Sequence, residues 1–377
     1  MEDKFNLYDV YEQNLNFLFG AGASYGFLPT LSLSIGNGEG HSHTFETLAK
    51  ELEKQSTHHL YTLLFMCYFK KCINAGLPRL PKVSYPPHRL EVLKEYRVFL
   101  ETLLAVLENK NRKDKKCNIY TTNYDNCLEV SADNLIAKKS INCVFNDGSS
   151  GFQQRKFHTK NFNNRVVQKG IFDKHAEYIP QINILHPHGS VYWQKAEQDI
   201  SVDYGLTPYN IVFDEEQNRL LSEFEEIVND ESKSMCDLIY FGEDDLFDWE
   251  VLRANEFWNQ YNQIPIVNPT KWKFHETVFE EAYYQILRHL SFELERPNSV
   301  LITFGFSFAD EHVLHLVQRS LSNPSLTVYI SCYNDSEKLE MKKKFKGYAN
   351  VKYIAIGDDL TFTRFNKRVF TLKKDGE

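Results

Sequence analysis

The stretch that decides the fold lies near the start of the chain and reads Phe17-Leu18-Phe19-Gly20-Ala21-Gly22-Ala23-Ser24. A short apolar run, typical of a buried β-strand, leads into a turn that contains two glycines and ends on a serine. Glycine has no Cβ, so the backbone amides of such a turn can approach a ligand closely. Where the turn opens a helix, those amides and the helix dipole bind a diphosphate. A tight turn without a ligand is the alternative, because Gly26 comes one position too late for the dinucleotide fingerprint.

Further short apolar segments follow along the chain and alternate with amphipathic helical stretches. They are continuous rather than alternating in polarity, which is typical of parallel strands buried on both faces. Together with Leu15–Phe19 they are Asn118–Tyr120, Ile182–Leu185, Val300–Phe304, Leu326–Ile330 and Val351–Ile356. The regular alternation in the last third implies right-handed crossovers. The sequence therefore predicts an α/β fold with an open parallel sheet that binds ligands at the carboxyl ends of its strands.

Three regions fit this alternation poorly and are predicted to be insertions in one domain that spans residues 1–377. The first, at about 40–110, is helical. The other two, at about 145–180 and 195–265, have mixed polar composition and are predicted to be irregular.

Composition excludes several classes of protein. The 377 residues are 42% hydrophobic and carry a formal net charge of -8, which argues against an extended nucleic-acid surface. No apolar run has the roughly 18 residues that a membrane span needs, and the first residues lack the apolar core of a signal peptide. The seven cysteines are scattered without a Cys-x-x-Cys pair, which argues for the reducing cytoplasm and against a structural zinc site. We expect a soluble cytoplasmic protein without bound metal.

Polar turns follow four of the predicted strands. If these strands are parallel neighbours, the four turns meet at one edge of the sheet. There they would bring together a phosphate-binding turn, an amide with a carboxylate, an imidazole, and a second glycine-serine turn. The turns are Gly20–Ser24, Thr121–Asp125, His186–Ser190 and Gly305–Phe308. This set predicts a dinucleotide site with a general base beside it.

The order of the motifs G-A-G-A-S, T-T-N-Y-D, H-G-S and G-F-S-F resembles that of the sirtuin family. More narrowly, T-T-N-Y-D, H-G-S-V-Y-W and F-G-F-S-F-A-D-E-H resemble the bacterial sirtuin-like proteins of anti-phage defence, which degrade NAD. The resemblance extends from residue 20 to about residue 334. It implies a Rossmann-like sheet with NAD, as substrate, across the strand ends. The zinc module of protein-deacylating sirtuins is missing from the sequence, which weakens a deacylase interpretation and implies no zinc.

The resemblance also implies roles for individual residues. Asn123 would position water or the ribose, Asp125 would orient the ribose or the nicotinamide, and His188 would act as the general base. The residues implied to bind the rest of the dinucleotide are Gly20, Ala21, Gly22 and Ser24 at the diphosphate, Thr122 beside them, and Gly305, Ser307, Tyr333 and Asn334 towards the adenosine.

Structural roles remain open for several of these side chains. Asn123 or Asp125 could cap the helix that follows the strand, and His188 could be a hydrogen-bonded turn histidine. His186 is interpreted as structural, and Asp310 as the N-cap of the next helix. Trp193 is expected to pack in the core.

The function predicted from these features is an NAD glycohydrolase that releases nicotinamide, leaves ADP-ribose, and serves as the effector of a bacterial anti-phage defence system. The resemblance implies a homo-oligomer that works with a HerA-type hexameric ATPase or an Argonaute-like protein. Two alternatives stay open: an NAD-dependent protein deacylase or ADP-ribosyltransferase, and a non-catalytic subunit that senses NAD or ADP-ribose. The presence of both Asn123 and His188 argues against the sensor.

Overall fold

The computed structural model of the chain describes residues 5–38, 41–74, 85–110, 114–138, 141–169, 176–196, 199–205, 211–243, 252–268 and 277–373. Its strands are, in chain order, β1 (Asn14–Phe19), β2 (Ser32–Gly36), β3 (Ser42–Thr44), β4 (Lys116–Thr121), β5 (Val144–Asn146), β6 (Ser149–Ser150), β7 (Lys156–Phe157), β8 (Val167–Lys169), β9 (Ala176–Tyr178), β10 (Gln181–Leu185), β11 (Trp193–Ala196), β12 (Asp199–Val202), β13 (Ser299–Phe304), β14 (Thr327–Ser331) and β15 (Val351–Ile354). Its helices are α1 (Phe45–Lys54), α2 (His58–Tyr68), α3 (Pro87–Glu108), α4 (Cys127–Lys138), α5 (Glu215–Val228), α6 (Met235–Gly242), α7 (Ala254–Tyr261), α8 (Thr277–Glu295), α9 (Glu311–Ser320), α10 (Asp335–Lys344) and α11 (Phe362–Arg364).

Seven strands form the central sheet, and all neighbouring pairs in it are parallel. From one edge to the other the order is β15, β14, β13, β1, β4, β10 and β5. This confirms the predicted Rossmann-like α/β class. The chain leaves β1 towards β4 on one side and later returns to its other side with β13. The strand order therefore reverses at β1, and in open α/β sheets a ligand crevice forms at the carboxyl ends of the strands around such a point.

The sheet is covered on both faces, which agrees with the mostly apolar composition of its strands. Phe17, Phe19 and Ile302 belong to one hydrophobic core, which includes residues of α3 and α4. Leu18 and Leu301 belong to the core of the other face, together with α8 and α9. Trp193 lies in that second core at 2% exposure, which confirms its predicted packing role.

A third hydrophobic core joins helices that are far apart in the sequence. Buried residues of α1 and α2 pack with those of α5, α6 and α7, whereas α3 packs against α4 and the central sheet. The region at 145–180 contributes β6 and β7 to a four-stranded antiparallel sheet that continues with β12 and β11. Parts of all three predicted insertions lie outside the described residues, and the single-domain division stays a prediction.

A row of asparagine side chains crosses four adjacent strands at one level of the sheet. Asn16, Asn118, Asn183 and Asn146 are neighbours in register on β1, β4, β10 and β5. Their amides donate along the row over 2.8 Å from Asn118 to Asn16, 2.9 Å from Asn183 to Asn118, and 3.1 Å from Asn146 to Asn183. Asn16, Asn118 and Asn183 are buried and Asn146 is half-buried, and the four amides satisfy one another between neighbouring strands. We call this set the asparagine row.

A buried ion pair lies between β4 and α8. The ammonium of Lys116 donates to Glu293 Oε1 over 2.7 Å, and both side chains are at most 4% exposed. Arg296 donates to the other carboxylate oxygen of Glu293 over 2.8 Å. Burial alone would raise the pKa of Glu293, but these two cations hold it below its usual value.

Within the described part of the chain, no helix is both long enough and apolar enough to cross a membrane.

Candidate active site

Four turns meet at the carboxyl edge of the central sheet, as the sequence predicts. They follow β1, β4, β10 and β13. Side chains and backbone groups join them to one another by hydrogen bonds between Gly22 and Gly305, between Ser24 and Asn123, between Asn123 and His186, and between His188 and Asp310. Residues from four separate stretches of the chain therefore form one connected polar cluster.

The glycine turn after β1 is pressed against the turn after β13. A Cβ on Gly20 would lie 2.5 Å from the carbonyl oxygen of Gly305, and one on Gly22 would lie 2.8 Å from its Cα. Gly305 itself has φ +61°. Only glycine fits at these positions, because any side chain would collide with the opposite backbone. The glycine pattern therefore has a packing cause independent of any ligand.

The same turn differs from the helix-opening turn considered in the sequence analysis. Residues Ala21–Ser24 form a short 3-10 turn, so no α-helix dipole begins there. The amides of Gly20, Gly22 and Ala23 donate to carbonyl oxygens of the protein at 3.0 to 3.1 Å. Diphosphate binding by this turn stays a prediction, and it would have to use groups other than these three amides.

Asn123 is 7% exposed, and its side chain is held by the glycine turn. Its Nδ2 donates to Ser24 Oγ over 2.9 Å, and Ser24 Oγ lies 2.8 Å from the hydroxyl of Tyr96 on α3. The neighbouring residue Thr122 donates its backbone amide to the carbonyl of Phe19, which joins the ends of β4 and β1. The predicted site residues Ser24, Thr122 and Asn123 are thus brought together.

Asp125 has one oxygen engaged and one open. Its Oδ1 accepts from the amide of Cys127 over 3.0 Å at the start of α4, which matches the capping alternative. Its Oδ2 is buried and has no hydrogen-bond partner among the described residues. A buried acceptor without a donor costs about 1–3 kcal/mol, and a bound molecule that supplies the donor would remove this cost.

His188 is paired with an aspartate from the next turn of the cluster. Its Nε2 lies 2.7 Å from Asp310 Oδ2, while Asp310 Oδ1 accepts from the amides of His312 and Val313. The second contact confirms Asp310 as the N-cap of α9. Burial would raise the pKa of Asp310, but the bonds to His188 and to the two amides hold it at about 2. Asp310 is therefore an anion that fixes the imidazole of His188.

His186 lies on the other side of the Asn123 turn, buried at 3% exposure. Its Nδ1 is 3.2 Å from the carbonyl oxygen of Asn123, and its Nε2 is 2.8 Å from Glu129 Oε1 on α4. Burial alone would lower the pKa of His186, but the charge of Glu129 and the hydrogen bonds raise it above its usual value.

Residues 264–268, which follow α7, join the turn after β4 to the turn after β10. The amide of Val267 donates to the carbonyl of His188 over 2.9 Å, and the hydroxyl of Tyr124 donates to the carbonyl of Val267 over 2.7 Å. The sequence analysis missed this segment, Glu129, and the pairing of Asp310. Each acts through a contact between residues more than 50 positions apart, which no local motif records.

The residues predicted at the adenosine end lie along β13 and β14, on the opposite side of β1 from Asn123. Ser307 is exposed, and its carbonyl accepts from Lys344 Nζ over 2.8 Å. Tyr333 is 48% exposed. Asn334 caps α10 through the amide of Glu337 and borders a cavity of about 300 Å³ that Asp335, Asp358 and Asp359 also line. Their contact with a nucleotide stays a prediction.

No group of three or more histidine, cysteine or acidic side chains is arranged to hold a metal ion in the described ranges. The seven cysteines are unpaired, and five of them are buried.

A family model described as the SIR2-like domain matches residues 118–354, which is more than half of the chain. The matched range includes Asn123, His188 and Asp310 and begins after the glycine turn. No curated protein matches the sequence at a significant level.

Proposed function

The chain belongs to the SIR2-like domain family, whose members use NAD, and on this premise we propose that it is an NAD glycohydrolase that cleaves the nicotinamide–ribose bond. The observation that carries the proposal is that two polar side chains, on turns at one edge of the sheet, are each held by a hydrogen bond. Asn123 is fixed by Ser24, and His188 is fixed by Asp310. An amide and an oriented base on neighbouring turns are the groups that attack by water requires.

The reaction follows from the bond that breaks. Nicotinamide leaves as a neutral molecule with the electron pair of the C–N bond, so it needs little help from an acid. The ribose develops positive charge at its anomeric carbon, and a water oxygen bonds there to give ADP-ribose. Asn123 positions the water or the ribose. His188 accepts the water proton, and the anionic Asp310 stabilises the imidazolium that forms.

The open oxygen of Asp125 suits a hydrogen-bond donor of the substrate. A ribose hydroxyl or the carboxamide N–H of nicotinamide would satisfy Oδ2, which has no partner among the described residues. The remaining contacts of NAD are assigned to the residues that the motifs imply. They are Gly20, Ala21, Gly22, Ser24 and Thr122 around the diphosphate, and Gly305, Ser307, Tyr333 and Asn334 towards the adenosine.

The biological role belongs to the same proposal. NAD depletion by this chain would be the effector step of a bacterial anti-phage defence system in the cytoplasm. The motifs T-T-N-Y-D, H-G-S-V-Y-W and F-G-F-S-F-A-D-E-H support this role through their resemblance to such proteins. A homo-oligomer with a HerA-type ATPase, or an Argonaute-like protein, is the assembly that the resemblance implies.

The test is NAD consumption by the purified chain without a protein substrate, with products separated by chromatography. Nicotinamide and ADP-ribose should appear in equal amounts, and Asn123→Ala and His188→Ala should each lower kcat by about 10²- to 10⁴-fold. His312→Ala, a substitution of an exposed histidine on α9, is the matched control and should keep full activity. Intact NAD, both alone and with a HerA-type ATPase added, would contradict the proposal. Consumption only with an acylated or acceptor protein would favour the deacylase or transferase.

A further inference from the structure

His186 is enclosed by hydrogen-bond acceptors on both sides of its ring. Nδ1 faces the carbonyl oxygen of Asn123, and Nε2 faces the carboxylate of Glu129. A carbonyl oxygen can only accept, and an ionised carboxylate can only accept. Both ring nitrogens must therefore donate, which requires the doubly protonated imidazolium.

The charges around His186 agree with this state. Glu129 on α4 and Asp125 in the turn after β4 are both acidic. Behind Glu129, the hydroxyl of Tyr204 lies 3.5 Å from Oε1 and 3.2 Å from Asp147 Oδ2. The guanidinium of Arg155 pairs with Asp147 Oδ2 over 2.8 Å and lies 5.6 Å from the centroid of the Tyr204 ring, so the charge of Asp147 is matched. A positive ring in this position supplies the counter-charge for Glu129.

His186 contacts the backbone carbonyl of Asn123, and the side chain of the same asparagine donates to Ser24. The backbone of Asn123 is fixed from both ends, because its amide donates to Thr121 Oγ1 over 3.2 Å and its carbonyl accepts from His186. Rotation of the following peptide would displace the Asn123 side chain from Ser24. A displacement of about 1 Å at a group that positions a reactant can lower a rate by 10²-fold.

We propose that His186 is a positioning residue, which acts as an imidazolium held by Glu129 and fixes the Asn123 turn through the Asn123 carbonyl. This inference rests on the proposed role of Asn123 in NAD cleavage. It assigns a function to a histidine that the motif comparison leaves aside in favour of His188.

Two substitutions separate the two hydrogen bonds of the ring. The amide nitrogen of asparagine can occupy the place of Nδ1, and that of glutamine can occupy the place of Nε2. His186→Asn should keep the bond to Asn123 and lose the bond to Glu129, so kcat should stay within about 3-fold of the wild type. His186→Gln should lose the bond to Asn123, and kcat should fall by roughly 10- to 100-fold with KM little changed. Equal activities in the two variants would overturn the inference.

The pH dependence supplies a readout that a purely structural role would not change. As the pH rises through the raised pKa of His186, one proton leaves and the remaining proton stays with the charged Glu129. Nδ1 then faces the Asn123 carbonyl without a hydrogen, so kcat should fall at alkaline pH. In Glu129→Gln the glutamine amide donates to Nε2, the single proton stays on Nδ1, and this alkaline decline should disappear. An identical decline in both proteins would contradict the inference.

A spectroscopic measurement tests the imidazolium independently of activity. In ¹⁵N-histidine-labelled protein, the ring signals that vanish in His186→Asn identify His186. At pH 7 both nitrogens should resonate as protonated, whereas one unprotonated nitrogen would overturn the inference. The backbone amide of Tyr124, which follows the Asn123 carbonyl, should shift in His186→Gln and stay in place in His186→Asn. A wild type inactive on NAD, both alone and with a HerA-type ATPase added, would refute the proposed function, while these signals would still decide whether His186 is an imidazolium that holds the Asn123 carbonyl.

Discussion

The asparagine row lies within β1, β4, β10 and β5, whereas the cluster at the carboxyl edge follows β1, β4, β10 and β13, and the two sets of polar groups differ in how they are satisfied. In the row, Asn118 accepts from one neighbour and donates to the other, and none of the four asparagines has a buried atom without a partner. At the carboxyl edge, Asp125 Oδ2 and Glu129 Oε2 are buried and have no partner among the described residues. The row is thus satisfied within itself, whereas these two carboxylates keep an acceptor open at the edge where we propose that NAD binds.

The difference has a consequence for mutations. Changes in the middle of the sheet should lower stability and leave the chemistry of folded molecules intact. Changes at the carboxyl edge should lower activity and leave stability almost unchanged.

The largest effect is expected at the buried ion pair of Lys116 and Glu293, which stabilises the fold and lies outside the candidate active site. Glu293→Leu leaves Lys116 as an unpaired charge at 4% exposure and should lower the free energy of unfolding by about 3–5 kcal/mol. Denaturant unfolding followed by circular dichroism measures this. The double variant Glu293→Leu with Lys116→Met should recover most of the loss, because an apolar pair needs no counter-charge. An unchanged free energy of unfolding in the single variant would contradict the role of Glu293 as the counter-charge that Lys116 requires.

The second-largest effect is expected at Asp310, which belongs to the candidate active site. In Asp310→Asn the amide oxygen should keep the cap of α9, so the NH₂ group faces His188 Nε2 and forces the imidazole proton onto Nδ1. The base is then blocked, and kcat for NAD should fall by about 10²-fold while Tm stays within a few degrees. Asp214→Asn, at the cap of α5, is the control and should change neither quantity. Full activity in Asp310→Asn would remove Asp310 from the mechanism.

The smallest effect is expected within the asparagine row. Asn118→Val deprives Asn16 Oδ1 of its donor, whereas Asn183 Nδ2 keeps the carbonyl of Phe162 as a second acceptor. The free energy of unfolding should fall by about 1–3 kcal/mol. The kcat of the folded protein, measured well below its Tm, should equal that of the wild type. A changed kcat with unchanged stability would break the distinction between the two regions.

Most of the sheet could be predicted from the sequence, because its strands are continuous apolar runs. Each of the six apolar segments named from the sequence overlaps a strand of the central sheet. The edge strand β5 was missed, because Val144–Asn146 is short and only half-buried and leads into Asp147-Gly148. It resembles a loop in composition, and its pairing with β10 is decided by tertiary contacts.

The site could be predicted less completely than the sheet. The motifs indicated Asn123 and His188, since each follows the end of a strand. Their partners could not be predicted, because Glu129 meets His186 across 57 positions and Asp310 meets His188 across 122. Sequence spacing describes one helix or one turn, whereas these pairs depend on which strands lie side by side. The shared core of α1 and α2 with α5–α7 was missed for the same reason.

The pairing of His188 with Asp310 also sets the time at which the site can exist during synthesis. The two residues are 122 positions apart, so at about 5–20 residues per second the ribosome adds the aspartate roughly 6–25 s after the histidine. Until then β13 has not taken its place beside β1, and the imidazole lacks the carboxylate that orients it. A nascent chain therefore carries both predicted catalytic side chains before it carries a complete site. A chain released before Asp310 by failed translation would contain Asn123 and His188 but would lack the NAD-cleaving activity.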